Sequence, residues 1–130
     1  MINGLILTPI EPINVSGGSV LRVIKESNPG YDGFGEAYFS IVNFGTIRGW
    51  KSHKEMTLNL VVPVGDIRFV MYDGRKNSST YRNFQEVVLS RKNYCRLTIP
   101  PKIWVGFQGL GKSTNLLLNM ANIPHDDKEV

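Results

Sequence analysis

The chain has 130 residues, of which 42% are hydrophobic and 20% are charged. This length suits one globular domain with a single core, and the composition excludes a disordered chain. The formal net charge of +4 mildly favours anionic partners. The 15 basic residues are spread along the sequence, which argues against nucleic acid, and a phosphorylated small molecule explains the positive charge at least as well.

The N-terminal segment 1–14 has no Lys or Arg before its short apolar stretch and no small-residue cleavage site. It is therefore predicted to begin the fold as a strand and not to be a signal peptide. No later run approaches the roughly 18 apolar residues of a membrane helix, so no membrane partner is expected.

Short runs of β-branched and aromatic residues, separated by Gly and Pro, indicate an antiparallel β protein. No window of helical length has apolar residues at 3.6-residue spacing. The predicted strands, in chain order, are 4–8, 19–25, 36–43, 46–53, 57–62, 66–72, 85–90, 94–99, 104–107 and 115–122. This pattern predicts one all-β domain over 1–130, a closed or nearly closed barrel, with 125–130 as a loose tail.

Residues 58–62 are apolar on both faces of their predicted strand, so both faces have to be covered. This pattern predicts a dimer that buries one sheet or exchanges an N-terminal strand. The one cysteine, Cys95, lies in the predicted strand 94–99 and is expected to be buried. A single cysteine rules out an internal disulfide and favours a cytoplasmic location.

Residues 106–113 match the phosphate-binding pattern G-x-x-x-x-G-K-[ST], which requires a strand before the loop and a helix after it. Residues 114–130, which follow Ser113, include a proline and have no helical pattern. No alternation of strands and helices precedes the motif either. The match is therefore interpreted as a coincidence, and the segment as a glycine-rich hairpin between two strands.

Segment 45–53 holds the first candidate site. Alternate side chains of a strand share one face, so Lys51 and His53 are predicted to point one way, while Trp50 and Ser52 point the other. In a small barrel the shared face is expected to be the interior. From these residues alone, the alternative is an exposed lysine and an exposed or hydrogen-bonded histidine.

Residues 48–53 (RGWKSH), a following hairpin and residues 87–107 (VVLSRKNYCRLTIPPKIWVGF) resemble the dTDP-4-dehydrorhamnose 3,5-epimerases. The epimerase pattern has a Gly-x-x-Arg-Gly-x-His strand, a valine-rich hairpin, a Leu-Ser-x-x-Asn turn, and Ile-Pro-Pro before Gly-Phe. The chain is also similar to the sugar 3,4-ketoisomerases, whose strand reads Arg-Gly-x-His-x-His-Lys. The resemblance covers residues 36–129. It implies a cupin-type jelly roll, a homodimer, a nucleotide-linked 4-keto sugar as substrate, and no metal or organic cofactor.

The resemblance also implies roles for single residues. Arg48 is expected near the pyrophosphate or the sugar of the substrate. Lys51 falls on the catalytic histidine of the epimerases, whereas His53 and Lys54 fit the second histidine and the lysine of the ketoisomerase strand. Trp104 lies where the ketoisomerases carry an aromatic residue, so it is expected to line the pocket or to pack on the nucleotide base, with a structural role as the alternative.

Three epimerase features are missing from the sequence. The epimerase tyrosine that donates a proton falls near Leu116, and a histidine before the final Gly-Phe is replaced by Val105. No counterpart is expected for the C-terminal carboxylate that polarises the epimerase histidine, because the chain ends at Val130.

Epimerisation and keto migration of a 4-keto sugar both begin with removal of a proton from a carbon next to the carbonyl. His53 suits the role of base, because an imidazole titrates near pH 6.5. Lys51 or Arg48 can hold the enolate oxygen that forms. Tyr38 is a candidate acid, with packing as the alternative role.

The sequence therefore predicts a nucleotide-sugar epimerase or isomerase that acts on a nucleotide-linked 4-keto-6-deoxyhexose in surface polysaccharide biosynthesis. The alternative is a catalytically silent cupin that binds a sugar or a nucleotide sugar. A metal-dependent cupin is not expected. Such proteins need three histidines and a glutamate as ligands, whereas this chain has only His53 and His125.

Overall fold

The computed structural model describes all residues, 1–130, and consists almost entirely of strands. Ten of the eleven strands overlap predicted ones, and the exception is β2, which forms a hairpin with β3. No helical segment of the protein has the length and hydropathy of a membrane span. The elements are β1 (Ile6–Pro9), β2 (Ile13–Val15), β3 (Gly18–Val20), β4 (Glu36–Ile41), β5 (Ile47–Lys51), β6 (Leu58–Val64), β7 (Asp66–Asp73), β8 (Phe84–Ser90), β9 (Cys95–Ile99), β10 (Ile103–Gly109), β11 (Leu116–Ala121) and a 3₁₀ turn (Asp127–Glu129).

The strands form two antiparallel sheets and a separate two-stranded hairpin. The five-stranded sheet has the order β1-β9-β6-β11-β4, and the four-stranded sheet has the order β5-β10-β7-β8. Consecutive strands such as β10 and β11 fall in different sheets, so the chain crosses between the two layers as in a jelly roll. The predicted all-β, antiparallel architecture is confirmed.

The hydrophobic core lies between the two sheets, which contribute alternate residues of their strands. In β7 the core-facing residues Ile67, Phe69 and Met71 have no exposed surface, whereas the residues between them are partly exposed. Leu58 and Leu60 of β6 belong to the same buried cluster. Burying each of these side chains stabilises the fold by about 1.5 to 3 kcal/mol relative to leaving it exposed.

The outer face of the five-stranded sheet is covered at β9 and β6 by residues 23–30 of the same chain, whereas Phe39 and Ile41 on β4 stay exposed. The Arg96 side chain is 1% exposed and donates to the Val23 carbonyl at 2.8 Å and to the Pro29 carbonyl at 2.9 Å. These bonds hold the covering segment against the sheet. The second apolar face of β6, which predicted a dimer, is therefore covered within one chain, and a dimer needs other support.

The outer face of the four-stranded sheet carries no such cover. Trp104, Tyr72 and Phe84 form one cross-strand row on β10, β7 and β8, and Trp50 of β5 lies beside them. These four side chains, here called the aromatic face, border a shallow groove that is open to solvent. Trp50, Phe84 and Trp104 are 51%, 67% and 42% exposed. A large aromatic surface thus lies open to solvent on one side of the protein.

Residues 106–113 are not followed by the helix that a phosphate-binding loop requires. β10 ends at Gly109 in the four-stranded sheet, and β11 begins at Leu116 in the five-stranded sheet. The segment between them joins two sheets, so it is not the expected hairpin. The Asn115 side chain accepts the Gly111 amide at 3.0 Å, which commits a loop amide to the fold.

The expected loose tail, 125–130, contains the 3₁₀ turn and a buried side chain. Asp126 caps this turn by accepting a backbone amide. Glu129 is 8% exposed, and its carboxylate accepts the backbone amides of Glu55 and Met56. The end of the chain is therefore held against the segment that leads into β6.

Candidate active site

A cavity of about 140 Å³ lies between the two sheets, where β4 and β11 face β5 and β10. Leu58, Val105, Phe107 and Leu117 form its apolar wall. Its polar side chains are Tyr38, Ser40, Arg48, Lys51, His53, Asn119 and His125. Four of the five predicted site residues therefore reach a single cavity.

Arg48 and Lys51 reach the cavity together because β5 carries a bulge opposite β10. The two residues are three apart on β5, but they pair with positions two apart on β10. Gly49, between them, has a φ of 130°, and a Cβ atom there would lie 2.7 Å from the Cα atom of Gly106. A side chain at this position is excluded by both contacts and backbone conformation, so the placement of Arg48 depends on Gly49.

His53 follows the end of β5 and is partly buried. Its carbonyl accepts the Lys102 amide at 2.7 Å, and its Nδ1 atom is buried without a hydrogen-bond partner. Burial lowers the pKa of His53 below its ordinary 6.5; Lys51 and His125 act in the same direction, and Glu129 opposes them. The imidazole is therefore neutral at pH 7 and able to accept a proton.

A carboxylate that the sequence did not predict lies near His53. Glu129 of the C-terminal 3₁₀ turn is close enough for its negative charge to raise the pKa of His53. The backbone amides of Glu55 and Met56 hold the pKa of Glu129 below its usual range, so the side chain is ionised at neutral pH. Glu129 acts on His53 through its charge, while the His53 Nδ1 atom has no hydrogen-bond partner, so the expectation that the epimerase carboxylate has no counterpart stays a prediction. Nothing in the acidic sequence 126–129 distinguishes Glu129 from its neighbours.

Tyr38 of β4 and Asn119 of β11 are direct cross-strand partners, and both side chains line the cavity. Asn119 Nδ2 donates to the Tyr38 hydroxyl oxygen at 3.1 Å, whereas Asn119 Oδ1 is buried without a partner. Burial raises the pKa of Tyr38, with Glu36 adding to the effect and Arg48 opposing it. Tyr38 is therefore a protonated phenol at neutral pH. The sequence predicts only a strand over 115–122, and a lone asparagine in a strand carries no signal for a site.

The cavity combines a neutral imidazole, a phenol and two cations. Such a set can remove a proton from a carbon next to a carbonyl, hold the enolate oxygen and return a proton. The structure has no group of three or more His, Cys, Asp or Glu side chains placed to hold a metal ion. The side chains that line the cavity are suited to acid–base chemistry.

Comparison with known proteins identifies the family. Residues 18–130 match the family model described as dTDP-4-dehydrorhamnose 3,5-epimerase. The chain belongs to this family. A probable low-salt glycan biosynthesis epimerase from Haloferax volcanii is 31% identical over 91 residues, which are 69% of this chain and 58% of that protein. The chain thus spans less than two thirds of the length of this curated relative.

Two solved structures show the same fold. A dTDP sugar isomerase from Desulfovibrio desulfuricans G20 has a TM-score of 0.94 and 40% identity, over 98% of this chain and 82% of that one. A dTDP-4-dehydrorhamnose 3,5-epimerase from Sulfolobus tokodaii has a TM-score of 0.86 and 24% identity, over 98% of this chain and 75% of that one. The second comparison shows the fold alone. The cupin-type barrel and the resemblance seen in the sequence are confirmed.

Val105 and Leu116 fall at or near positions where the epimerases carry a histidine and a tyrosine. Only one of the two residues lines the cavity. Val105, at the position of an epimerase histidine, contributes to the apolar wall of the cavity. Leu116, near the position of the epimerase tyrosine, does not line the cavity, whereas Tyr38 supplies a phenol from β4. The phenol therefore enters this cavity from another strand.

Trp104 does not line the cavity, contrary to the expectation from the resemblance. In β10 its neighbours Ile103 and Val105 are buried and face inward, so strand alternation turns Trp104 outward. It lies on the aromatic face instead. Trp104 therefore does not wall this cavity, whereas its packing on the nucleotide base stays a prediction.

Proposed function

We propose that this epimerase family member is a nucleotide-sugar epimerase or isomerase. Its substrate is a nucleotide-linked 4-keto-6-deoxyhexose, and it serves the biosynthesis of a surface polysaccharide. The observation that carries the proposal is the neutral His53 imidazole beside Lys51, Arg48 and Tyr38 in one cavity. Support also comes from the names of the relatives, which include a glycan biosynthesis epimerase and a dTDP sugar isomerase.

The first step is transfer of a proton from the carbon next to the carbonyl to His53. The C–H electron pair moves into the new C=C bond, and the carbonyl becomes an enolate oxygen that Lys51 stabilises by its charge. Tyr38 or the protonated His53 then returns a proton. Return to the opposite face of the same carbon gives an epimer. Return to the former carbonyl carbon moves the ketone: the enolate oxygen takes up a proton and becomes a hydroxyl group, while the hydroxyl group on the deprotonated carbon gives up its proton and becomes the new carbonyl.

Arg48 is the proposed contact for the pyrophosphate. Its guanidinium group is held at the cavity by the bulge of β5 and packs on the Phe107 ring. A planar, permanently charged group of this kind suits paired hydrogen bonds to phosphate oxygens. Binding through Arg48 would leave the sugar ring to reach His53.

A catalytically silent sugar-binding protein is less well supported. Such a protein has no need for a base with a lowered pKa, yet burial lowers the pKa of His53 while Glu129 stays ionised beside it. Perturbed titratable groups in a cavity are typical of catalytic sites. The acid–base set thus favours the enzyme.

The test is hydrogen exchange in deuterated water, followed by proton NMR with several nucleotide-linked 4-keto-6-deoxyhexoses. We expect wild-type protein to introduce deuterium next to the carbonyl, and His53→Asn to slow this exchange by roughly 100-fold or more. Lys112→Ala, in the loop between β10 and β11, is the control and should exchange at the wild-type rate. Binding of a substrate by calorimetry without any exchange would instead support the silent binder.

We further propose a homodimer that acts in the cytoplasm. The exposed aromatic face supports association, since Trp, Tyr and Phe are enriched in protein interfaces. The single free cysteine, Cys95, is buried and suits a reducing compartment. Light scattering should give a dimer for wild type and a monomer for Trp104→Glu; a wild-type monomer would contradict the assembly without affecting the proposed chemistry.

A further inference from the structure

Asn119 offers two hydrogen-bonding groups to the cavity, and the structure uses one of them. Its Nδ2 atom donates to the Tyr38 hydroxyl at 3.1 Å, and its Oδ1 atom is buried with no partner. Most buried polar atoms are hydrogen-bonded, so a buried amide oxygen without a protein partner keeps its capacity to accept a hydrogen bond from a group that enters the cavity. The adjacent cavity is where that donor would enter.

The direction of the bond to Tyr38 determines what the phenol can do. Because the Tyr38 oxygen accepts the amide hydrogen, its own hydrogen is not used by Asn119 and can be donated into the cavity. An N–H group aimed at a phenol oxygen also stabilises the phenolate that remains after the proton has left. The pair thus prepares Tyr38 to act as an acid.

The pair is fixed by the sheet and not by a flexible loop. Asn119 and Tyr38 are opposite each other in the register of β11 and β4. The side chain two positions before Asn119 on the same strand face is Leu117, a wall residue that is 2% exposed. A leucine at position 119 would extend that apolar wall, so the amide is not needed to fill space.

We propose that Asn119 is a positioning residue of this site: Nδ2 directs the Tyr38 hydroxyl hydrogen towards the substrate, and Oδ1 accepts a hydroxyl group of the bound hexose. The contact with the hexose rests on the proposed function, whereas the effect on Tyr38 concerns the protein alone. The charged and titratable groups around the phenol are Glu36, Arg48, Lys51, His53 and His125.

The first experiment needs no substrate. The five tyrosines are labelled with ¹³C at Cζ, Tyr38 is assigned from the Tyr38→Phe variant, and its titration is followed by NMR. Asn119→Leu removes the donor and should move the Tyr38 midpoint to higher pH. Asn119→Asp, whose carboxylate accepts only, should move it further. Met120→Leu, on the opposite face of β11, is the matched control and should leave the midpoint unchanged.

The second experiment measures deuterium exchange into the 4-keto sugar. Asn119→Leu should lower kcat by about 10-fold and raise KM, since it loses both the directed phenol and the hexose contact. Equal Tyr38 midpoints in wild type and Asn119→Leu would overturn the proposal, and so would an unshifted kcat and KM. If wild type shows no exchange on any substrate, the proposed function and the hexose contact fail, while the titration still decides the role of Asn119 towards Tyr38.

Discussion

The guanidinium carbon of Arg48 lies 5.6 Å from the centroid of the Phe107 ring, with the cation over the face of the aromatic side chain. This contact is favourable by about 0.5 to 1 kcal/mol at a partly exposed site, and it restricts the conformations of a long side chain. Phe107 itself belongs to β10, which is paired along its whole length with β7. Arg48 is therefore held ready at the cavity before any anion arrives.

Arg48→Ala should weaken binding of the nucleotide sugar by about 10- to 100-fold and change kcat little, because contacts to the pyrophosphate are similar in the ground and transition states. Arg68→Ala is the matched control: it removes the same charge, but Arg68 is paired with Glu86 and Gln108 outside the cavity. Calorimetry gives the affinities and NMR the exchange rates. A loss of kcat without a loss of affinity in Arg48→Ala would show that Arg48 acts on the reacting atoms.

Glu129→Gln should shift the acid limb of the pH–rate profile to lower pH. The limb reports protonation of His53, whose pKa lies below 6.5, and the rate falls as pH decreases through that pKa. The negative charge of Glu129 raises this pKa, so removing the charge lowers it further. Glu55→Gln removes the same charge at an exposed side chain, so it should leave the pH of the acid limb unchanged. An unchanged limb in Glu129→Gln would mean that the carboxylate does not act on the base.

Lys112→Ala should have no effect on binding of ATP or GTP, because the segment around Lys112 leads into a strand and lacks the helix that a phosphate-binding loop needs. The Gly111 amide is already bound by Asn115. Calorimetry with magnesium should detect no specific triphosphate binding in either protein. A micromolar, magnesium-dependent site that disappears in the variant would contradict this interpretation.

Asp73→Asn should destabilise the fold by about 2 to 4 kcal/mol at pH 7. Asp73 has no exposed surface, and its carboxylate accepts hydrogen bonds from Arg75, Ser78 and Thr80. Asp127→Asn, at a fully exposed side chain, should cost almost nothing. Urea unfolding measures both.

The cost of Asp73→Asn should also depend on pH. Hydrogen bonds from Arg75 hold the pKa of Asp73 well below its usual range. A lowered folded-state pKa contributes stability that is complete above the unfolded pKa, about 4, and is lost as pH falls through the folded pKa. The difference in unfolding free energy between wild type and variant should therefore shrink below about pH 4. A difference that stays constant down to pH 2 would exclude this linkage.

The strands could be predicted because two signals are local in the sequence: apolar and polar residues alternate within a strand, and Gly and Pro residues separate one strand from the next. β7 shows this most clearly, since every second residue from Ile67 to Met71 is apolar and buried. The predicted strand 19–25 was too long, because after Val20 the backbone leaves the sheet and its Val23 carbonyl binds Arg96. Contacts of that kind join residues far apart in sequence, and no local pattern reveals them.

The candidate site could be predicted in part for the same reason. Lys51 and His53 were paired by strand alternation, and the structure brings both to one cavity. The arrival of Arg48 in that cavity depends on the bulge at Gly49, which alternation alone does not predict. Glu129 is recruited by amides more than 70 positions away in the sequence, so its place beside His53 could not be seen before the fold was known.

Several polar side chains of the cavity belong to edge strands, one from each sheet. Tyr38 is on β4, the last strand of one sheet, and Arg48 and Lys51 are on β5, the last strand of the other. Edge strands open more readily than central ones under mild denaturant or heat. Inactivation should consequently run ahead of global unfolding: as conditions become harsher, turnover disappears while circular dichroism still reports an intact barrel.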